Sequence, residues 1–140
     1  VNCCGPESKL IPLPDVPVDP WTEIRQWAGL HFAQIRQHQS LIRTTIGELE
    51  EHPDLVRPSD PYALAYDQLG AYVARLQADG RAHADVDPMS AAAMLLNAIL
   101  LNAIMRDLMP GLIPDEPELQ LDQFVRQFLR GIGAPVPATV

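Results

Sequence analysis

Five stretches of the chain carry apolar residues at intervals of three and four, the spacing that gathers side chains on one face of an α-helix. These stretches cover residues 21–39, 41–49, 62–76, 88–109 and 121–132. The pattern leaves open whether the first two stretches form one bent helix or two separate ones. No stretch alternates apolar and polar residues between hairpin turns. The sequence therefore predicts an all-α fold, a bundle of about five helices.

Prolines and glycines mark where these helices begin and end. An aspartate precedes a proline at Asp19-Pro20, Asp60-Pro61 and Asp87-Pro88. In each pair the carboxylate can cap a helix whose first turn accepts the proline. Ser40 is the expected cap of the second helix, and His52-Pro53 is its expected end. Gly80 and the Gly131/Gly133 pair are expected to stop the third and fifth helices.

The distribution of prolines divides the chain into three parts. Four prolines before position 18 indicate an irregular arm over residues 1–19, because each removes a backbone donor and disfavours helix before it. Residues 20–133 form the predicted helical domain, a length that suits one hydrophobic core. Residues 134–140 hold two more prolines and are expected to be a flexible tail.

The fourth stretch contains no charged residue between Asp87 and Arg106. Its length approaches that of a membrane span, but Ser90, Asn97 and Asn102 interrupt it and no basic segment precedes it. A soluble helix that is apolar all round must be buried on more than one side. We therefore expect this helix to pack against its own core and against a partner subunit, with no membrane involved.

Charge and cysteine content exclude several functions. The formal net charge is −8, and phosphate backbones are bound mainly by Lys and Arg, so this chain alone should not bind DNA. Cys3 and Cys4 are adjacent, which allows no disulfide framework and no separated ligand pairs for zinc, and an intracellular setting fits best. The start at Val1 without an initiator methionine suggests a fragment of a longer protein.

Few residues suggest chemistry. His31 and His38 lie two helical turns apart and can face a pocket or a metal, although the more ordinary interpretation is that they border the core. Trp27, Tyr62 and Tyr66 can form pocket walls with polar tips, or plain core. Asn97 and Asn102 can face a ligand, pair across a dimer axis or bond a neighbouring backbone. The candidate ligand-binding residues are Trp27, His31, His38, Tyr62, Tyr66 and Asn97.

No catalytic machinery stands out. The carboxylates cluster at the ends of the predicted helices, where solvent keeps them ionised. No nucleophile with an accompanying base can be recognised. Glycines are scattered and form no phosphate-binding loop. We expect no enzymatic activity, no cofactor and no metal.

Several short motifs occur in an order that a known protein family shares. The matching runs are Tyr66-Asp67-Gln68-Leu69, Leu76-Gln77-Ala78-Asp79-Gly80-Arg81, Asp85-Val86-Asp87-Pro88 and the following Ala91-Ala92-Ala93-Met94-Leu95-Leu96. Upstream, Leu41-Ile42-Arg43, Glu48 and His52-Pro53-Asp54-Leu55 are also similar, so the resemblance covers about residues 20–133. In their order and spacing these motifs resemble the C-terminal regulatory domain of TetR-family transcriptional regulators.

The resemblance implies that the last two long helices pair with their copies in a second subunit, forming a four-helix dimer interface. It also implies a pocket among the earlier helices for a small, mostly apolar effector. The interface residues expected on these grounds are Leu95, Ile99, Asn102, Leu121, Phe124, Val125 and Phe128. Family members begin with a basic helix-turn-helix headpiece, whereas residues 1–19 hold only Lys9 as a basic residue, so operator DNA is reached only through a headpiece outside this chain.

The leading hypothesis is thus a cytoplasmic, homodimeric effector-binding domain of a TetR-type regulator, usually a repressor. The first alternative is a helical adaptor or dimerisation module without a ligand pocket. A third is a small helical enzyme that uses His31 or His38.

Overall fold

The computed structural model describes residues 11–55 and 60–138. In this part of the chain there are five α-helices and no strand, which confirms the all-α prediction. The helices are α1 (Pro20–Gln37), α2 (Gln39–Glu48), α3 (Pro61–Ala78), α4 (Pro88–Met105) and α5 (Pro117–Ile132), with a 3-10 turn at Pro53–Leu55. The Cys3-Cys4 pair and Lys9 lie outside the described residues.

Four of the five helices begin with proline. Before α1, the Asp19 side chain accepts a hydrogen bond from the Thr22 amide, and before α4 the Asp87 side chain accepts one from the Ser90 amide at 2.8 Å. These contacts satisfy backbone donors that have no partner within the helix. The fourth proline, Pro117, follows Glu116 rather than an aspartate, and so it was not among the helix starts predicted from Asp-Pro pairs.

The first two stretches are separate helices that meet at one residue. His38 has φ −110° and ψ 19°, outside the helical region, and it ends α1 directly before α2. The expected cap at Ser40 is wrong, because Ser40 lies inside α2 and no side chain caps that helix. The helix ends at Glu48, before the expected Pro53. The proline ring excludes the carbonyl four residues earlier, and residues 49–51 form turns instead.

Helix α4 is the centre of the bundle. It packs against α1, α3 and α5, and more lightly against α2. Ala92, Leu96, Ile99 and Ala103 on this helix are completely buried. The alanines allow neighbouring helices to approach from several directions, which explains why a helix without charges is stable inside one chain. It is also long and apolar enough to cross a membrane by composition alone, a property that core helices share.

Two glycines end helices as expected. Gly80 and Gly133 have φ of 71° and 78°, the left-handed conformation that favours glycine. After Gly133 the Ala134 amide bonds back to the Leu129 carbonyl at 2.8 Å, and a Cβ on Gly133 would lie 2.4 Å from the His83 ring. Tight packing at this position adds to the requirement for glycine.

The described parts of the arm, residues 11–19, and of the tail, residues 134–138, both pack on the bundle. Leu13 and Pro17 of the arm are buried, and the Arg81 guanidinium donates to the Pro17 carbonyl. In the tail, which we expected to be flexible, Arg126 donates to the Pro137 carbonyl at 2.7 Å. Residues 11–19 form no helix or strand but are held in place by side chains of the helical domain.

Candidate functional site

A buried histidine and a buried tryptophan meet on the inner face of α1. His31 is 4% exposed and Trp27 is 1% exposed, and their ring centroids lie 4.2 Å apart in an edge-to-face arrangement. They are four residues apart, so the helix places them one turn from each other. Both are among the residues that the sequence indicated as candidate ligand contacts.

The His31 imidazole has an unused polar atom. Its Nε2 is shielded from solvent and has no hydrogen-bond partner. An unsatisfied polar group inside a protein costs about 1–3 kcal/mol, so such an atom is uncommon unless something else is gained. Burial lowers the pKa of His31 to about 4, and the ring is therefore neutral at neutral pH.

Side chains span the space between α1 and α3. The Trp27 indole N–H donates to Gln68 Oε1 at 3.1 Å, and the Tyr72 hydroxyl donates to Glu23 Oε1 at 2.8 Å. Both helices pack along α4, and these two bonds join them. Both bonds are made by side chains, and the Trp27–Gln68 bond lies one helical turn from His31.

Three other candidate residues meet at the α3–α4 contact. The Tyr66 hydroxyl donates to Asn97 Oδ1 at 2.6 Å and lies 3.3 Å from the Tyr62 hydroxyl. The two tyrosine rings pack edge-to-face, with centroids 5.3 Å apart. Burial, followed by the hydrogen bond with Tyr66, raises the pKa of Tyr62. Asn97 itself is exposed, so this network reaches the surface.

The six candidate ligand residues therefore fall into two groups and one isolated residue. Trp27 and His31 are internal, whereas Tyr62, Tyr66 and Asn97 form the network at the α3–α4 surface. Gln68, which binds Trp27, follows Tyr66 by two residues, a rotation of about 200° around the helix. The two side chains therefore point to nearly opposite sides of α3, which separates the two groups. His38 is half-buried at the α1–α2 junction.

Most of the expected interface residues belong to the core of the single chain. Leu95, Ile99, Leu121, Val125 and Phe128 are all buried there. Phe124 is partly buried against the same core. These positions already have partners within the chain, so a contact with a second subunit requires other residues of α4 and α5.

Asn102 also has its partners within the chain. Its Nδ2 donates to Gln120 Oε1 at 3.1 Å, and its Oδ1 accepts from Arg106 at 2.9 Å. Asn97 and Asn102 thus both bind side chains of their own chain. The alternatives considered from the sequence were a ligand, a dimer axis and a neighbouring backbone, and none of them describes these contacts.

One side of α4 is apolar and exposed. Met94 is 75% exposed and Leu101 is 58% exposed, and Asn97 lies between them on the same side. Their spacing of three, four and seven residues places them in one stripe along the helix. We call Met94, Asn97 and Leu101 the α4 stripe. Together with Met89 and Ser90 at the start of the helix, it is the part of α4 that the rest of the described chain leaves exposed.

Two arginines that sequence reasoning did not single out hold the end of α4. Arg36 of α1 donates to the Ala103 carbonyl at 3.1 Å, and Arg43 of α2 donates to the Ile104 carbonyl at 2.7 Å. Arg36 also forms a two-pronged ion pair with Asp107. Cations at a helix C-terminus satisfy its free carbonyls and oppose its dipole. In the sequence, the only sign of this role is that Arg36 lies in the last turn of α1 and Arg43 lies within α2.

A cleft of about 480 Å³ lies elsewhere, between the arm, the start of α1 and the tail. Its apolar walls include Trp21 and Val136, and Arg81 lines it as well. Arg126 stacks over the Trp21 ring at 4.6 Å. None of the candidate ligand residues lines this cleft. Within residues 11–55 and 60–138, no three metal-ligating side chains gather at one place.

Comparison with known proteins gives one match. The family model described as the C-terminal domain of AefR-like transcriptional repressors matches residues 27–133. Comparisons with curated proteins and with solved structures gave no significant match. The matched region runs from Trp27 in α1 to Gly133 at the end of α5, and so includes the second half of α1 and all of the other four helices. The chain therefore belongs to the family of AefR-like repressor C-terminal domains, which are regulatory domains of the TetR type.

Proposed function

We propose that this chain is the effector-binding and dimerisation domain of a cytoplasmic TetR-type repressor. A small, mostly apolar ligand binds beside Trp27 and His31 and controls DNA binding through a headpiece outside these 140 residues. The observation that carries the proposal is the buried, unpartnered Nε2 of His31 next to an aromatic ring. Pockets for small molecules typically combine apolar walls with a few such polar groups.

The charge of the chain supports an indirect role in DNA binding. With ten basic and eighteen acidic residues, its net field repels phosphate. Ligand binding can then influence DNA only by changing the population of conformations that position another domain. No catalytic step is required.

The α4 stripe supports the dimer. An exposed apolar strip on a central helix is typical of a surface that pairs with its own copy across a two-fold axis. We propose that α4 and α5 of two chains form the four-helix interface through this stripe and the exposed side of α5. Residues on the inner side of α4, such as Ile99, hold the helix against the core and so fix the position of the stripe.

A thermal-shift screen tests ligand binding. Uncharged aromatic and aliphatic compounds are added to the wild-type chain and to His31→Phe, with His52→Phe as the matched control at an exposed histidine. A ligand that binds only the folded state raises the melting temperature, by an amount equivalent to about 2.7 kcal/mol at a concentration of 100 Kd. We expect to find compounds that raise the melting temperatures of the wild type and of His52→Phe by the same amount, and that of His31→Phe by less. A complete absence of stabilising compounds would favour the adaptor alternative.

Sedimentation velocity tests the dimer. The double variant Met94→Lys/Leu101→Lys places two like charges on each α4 stripe and should produce a monomer that remains folded. Leu30→Lys is the control, because Leu30 is 45% exposed on α1, away from the stripe. We expect this control to sediment as the wild type does. A wild-type chain that is monomeric at micromolar concentration would refute the dimer.

A further inference from the structure

We propose that the effector presents an uncharged hydroxyl group to His31 and packs a flat apolar body, such as an aromatic ring, against Trp27. This inference rests on the proposed function and specifies the chemistry of its ligand.

The hydrogen-bonding capacity of the site determines the polar part of the ligand. His31 Nε2 is buried and unpartnered, so a ligand that supplies a partner gains a bond that the empty protein lacks. The Trp27 N–H is already used by Gln68 and offers the ligand only ring surface. The site therefore presents one free polar atom beside an apolar wall.

The protonation of His31 favours a hydroxyl. A neutral imidazole carries its proton on one nitrogen, so Nε2 is either a donor or an acceptor. A carbonyl can only accept, whereas a hydroxyl can donate and accept and thus complements both tautomers. Since burial holds the pKa of His31 at about 4, the ring is neutral near pH 7 and carries no charge for a ligand to pair with.

The arginines of α1 and α3 are already ion-paired, and Arg106, which lies near Phe32 of α1, donates to Asn102 and to the Pro114 carbonyl. This arrangement disfavours an anionic ligand. Arg25 binds Asp122 and Glu118, and Arg36 binds Asp107. Arg75, the one cation of α3, lies 3.8 Å from Asp15 of the arm. A buried carboxylate without a partner is strongly unfavourable. Benzoate and similar acids should therefore not bind.

The space for the ligand is made by side chains. His31 Nε2 is closed off in the structure without ligand, but the Trp27–Gln68 and Tyr72–Glu23 bonds that join α1 to α3 are side-chain contacts. Rotation of Gln68 away from Trp27 breaks this bond and frees the N–H edge of the indole. A flat molecule requires the smallest such displacement.

Three probes that share a benzene ring test the inference: benzene, phenol and benzoate. They are titrated into Trp21→Phe, in which Trp27 is the remaining tryptophan, and binding is followed by its fluorescence and by the melting temperature. We expect phenol to bind about fivefold more tightly than benzene, which corresponds to about 1 kcal/mol for one added hydrogen bond. Benzoate should show no binding at concentrations that saturate the site with phenol.

Histidine variants test whether His31 is responsible for the preference for phenol over benzene. In the Trp21→Phe background, His31→Phe should reduce the ratio of phenol to benzene affinity to about one, while His52→Phe leaves it unchanged. If His31→Phe does not fold, as judged by circular dichroism, the ¹⁵N shifts of the His31 ring in the folded protein replace it. Phenol should move the Nε2 resonance, and benzene should move it much less.

The outcomes separate the two proposals. Benzene binding without a preference for phenol, a preference that survives His31→Phe, an Nε2 resonance that phenol leaves unmoved, or tight binding of benzoate overturns the inference and leaves the ligand site in place. If none of the three probes binds, both the inference and the proposed ligand-binding function fail.

Discussion

Replacing Ile99 with alanine tests where the centre of α4 packs. The resemblance to TetR-family regulators placed Ile99 in a dimer interface, whereas the structure buries it completely within one chain, among the helices that surround α4. The side chain therefore stabilises the fold of the single chain, and any effect of the substitution on dimerisation should come only through that fold.

The cost can be worked out from the burial. The substitution removes three carbon atoms from a site with no solvent contact, and transfer alone accounts for about 0.8 kcal/mol per carbon. The remaining cavity adds to this, so the free energy of unfolding should fall by about 2–5 kcal/mol. At about 3 °C per kcal/mol for a chain of this size, the melting temperature should decrease by roughly 6–15 °C.

Urea unfolding at two protein concentrations, together with sedimentation, distinguishes a position of Ile99 in the core of the single chain from a position in a dimer interface. Ile99→Ala should lower the free energy of unfolding equally at both concentrations, and the folded fraction should dimerise with the wild-type dissociation constant. Leu101→Ala, the matched exposed control on the same helix, should weaken dimerisation and change the intrinsic stability by less than about 0.5 kcal/mol. The reasoning is refuted if Ile99→Ala dissociates the dimer without destabilising the subunit.

Three further predictions concern titration and helix ends. Because the pKa of His31 is lowered to about 4, the unfolded chain binds a proton that the folded chain does not, and stability should decrease as pH falls from about 6.5 to about 4; His31→Phe should lack this slope in pH-dependent unfolding. Side-chain and then backbone hydrogen bonds from Ser90 lower the pKa of Asp87, so its contribution is present above about pH 4 and is lost below it. Asp87→Asn should remove this part of the acid sensitivity, and a profile identical to the wild type would contradict the capping role. Gly133→Ala should lower the melting temperature more than Gly80→Ala, since both have positive φ but only Gly133 lies against a ring; equal decreases would show that the ring yields freely.

The sequence predicted the secondary structure well wherever the signal was local. The Asp19-Pro20 and Asp87-Pro88 starts are observed with their side-chain caps, and Gly80 and Gly133 adopt the expected conformation. Each of these features depends on a few neighbouring residues. The beginning of α2 was assigned wrongly because Ser40 has the chemistry of a cap, but the backbone turns at His38 instead.

The candidate site was predicted only in part. Helical spacing placed Trp27 and His31 on one inner face, and the structure brings their rings together. Spacing along one helix says nothing about which neighbour a residue meets, so it did not separate the Tyr62–Tyr66–Asn97 network from this pair. Arg36 and Arg43 were missed because their acceptors, the last carbonyls of α4, lie more than sixty positions away in the chain.

By itself, the sequence determined that the chain is helical, where most of its helices begin and end, and that α4 must be buried on several sides. These properties follow from backbone preferences and from the cost of exposing apolar surface, both of which act over a few residues. Only the tertiary structure decided which side of α4 is covered. Four helices of the same chain contact α4, so Ile99 and Leu95 became core and the α4 stripe was left exposed. Periodicity cannot distinguish these outcomes, because a side chain is equally buried by its own chain or by another.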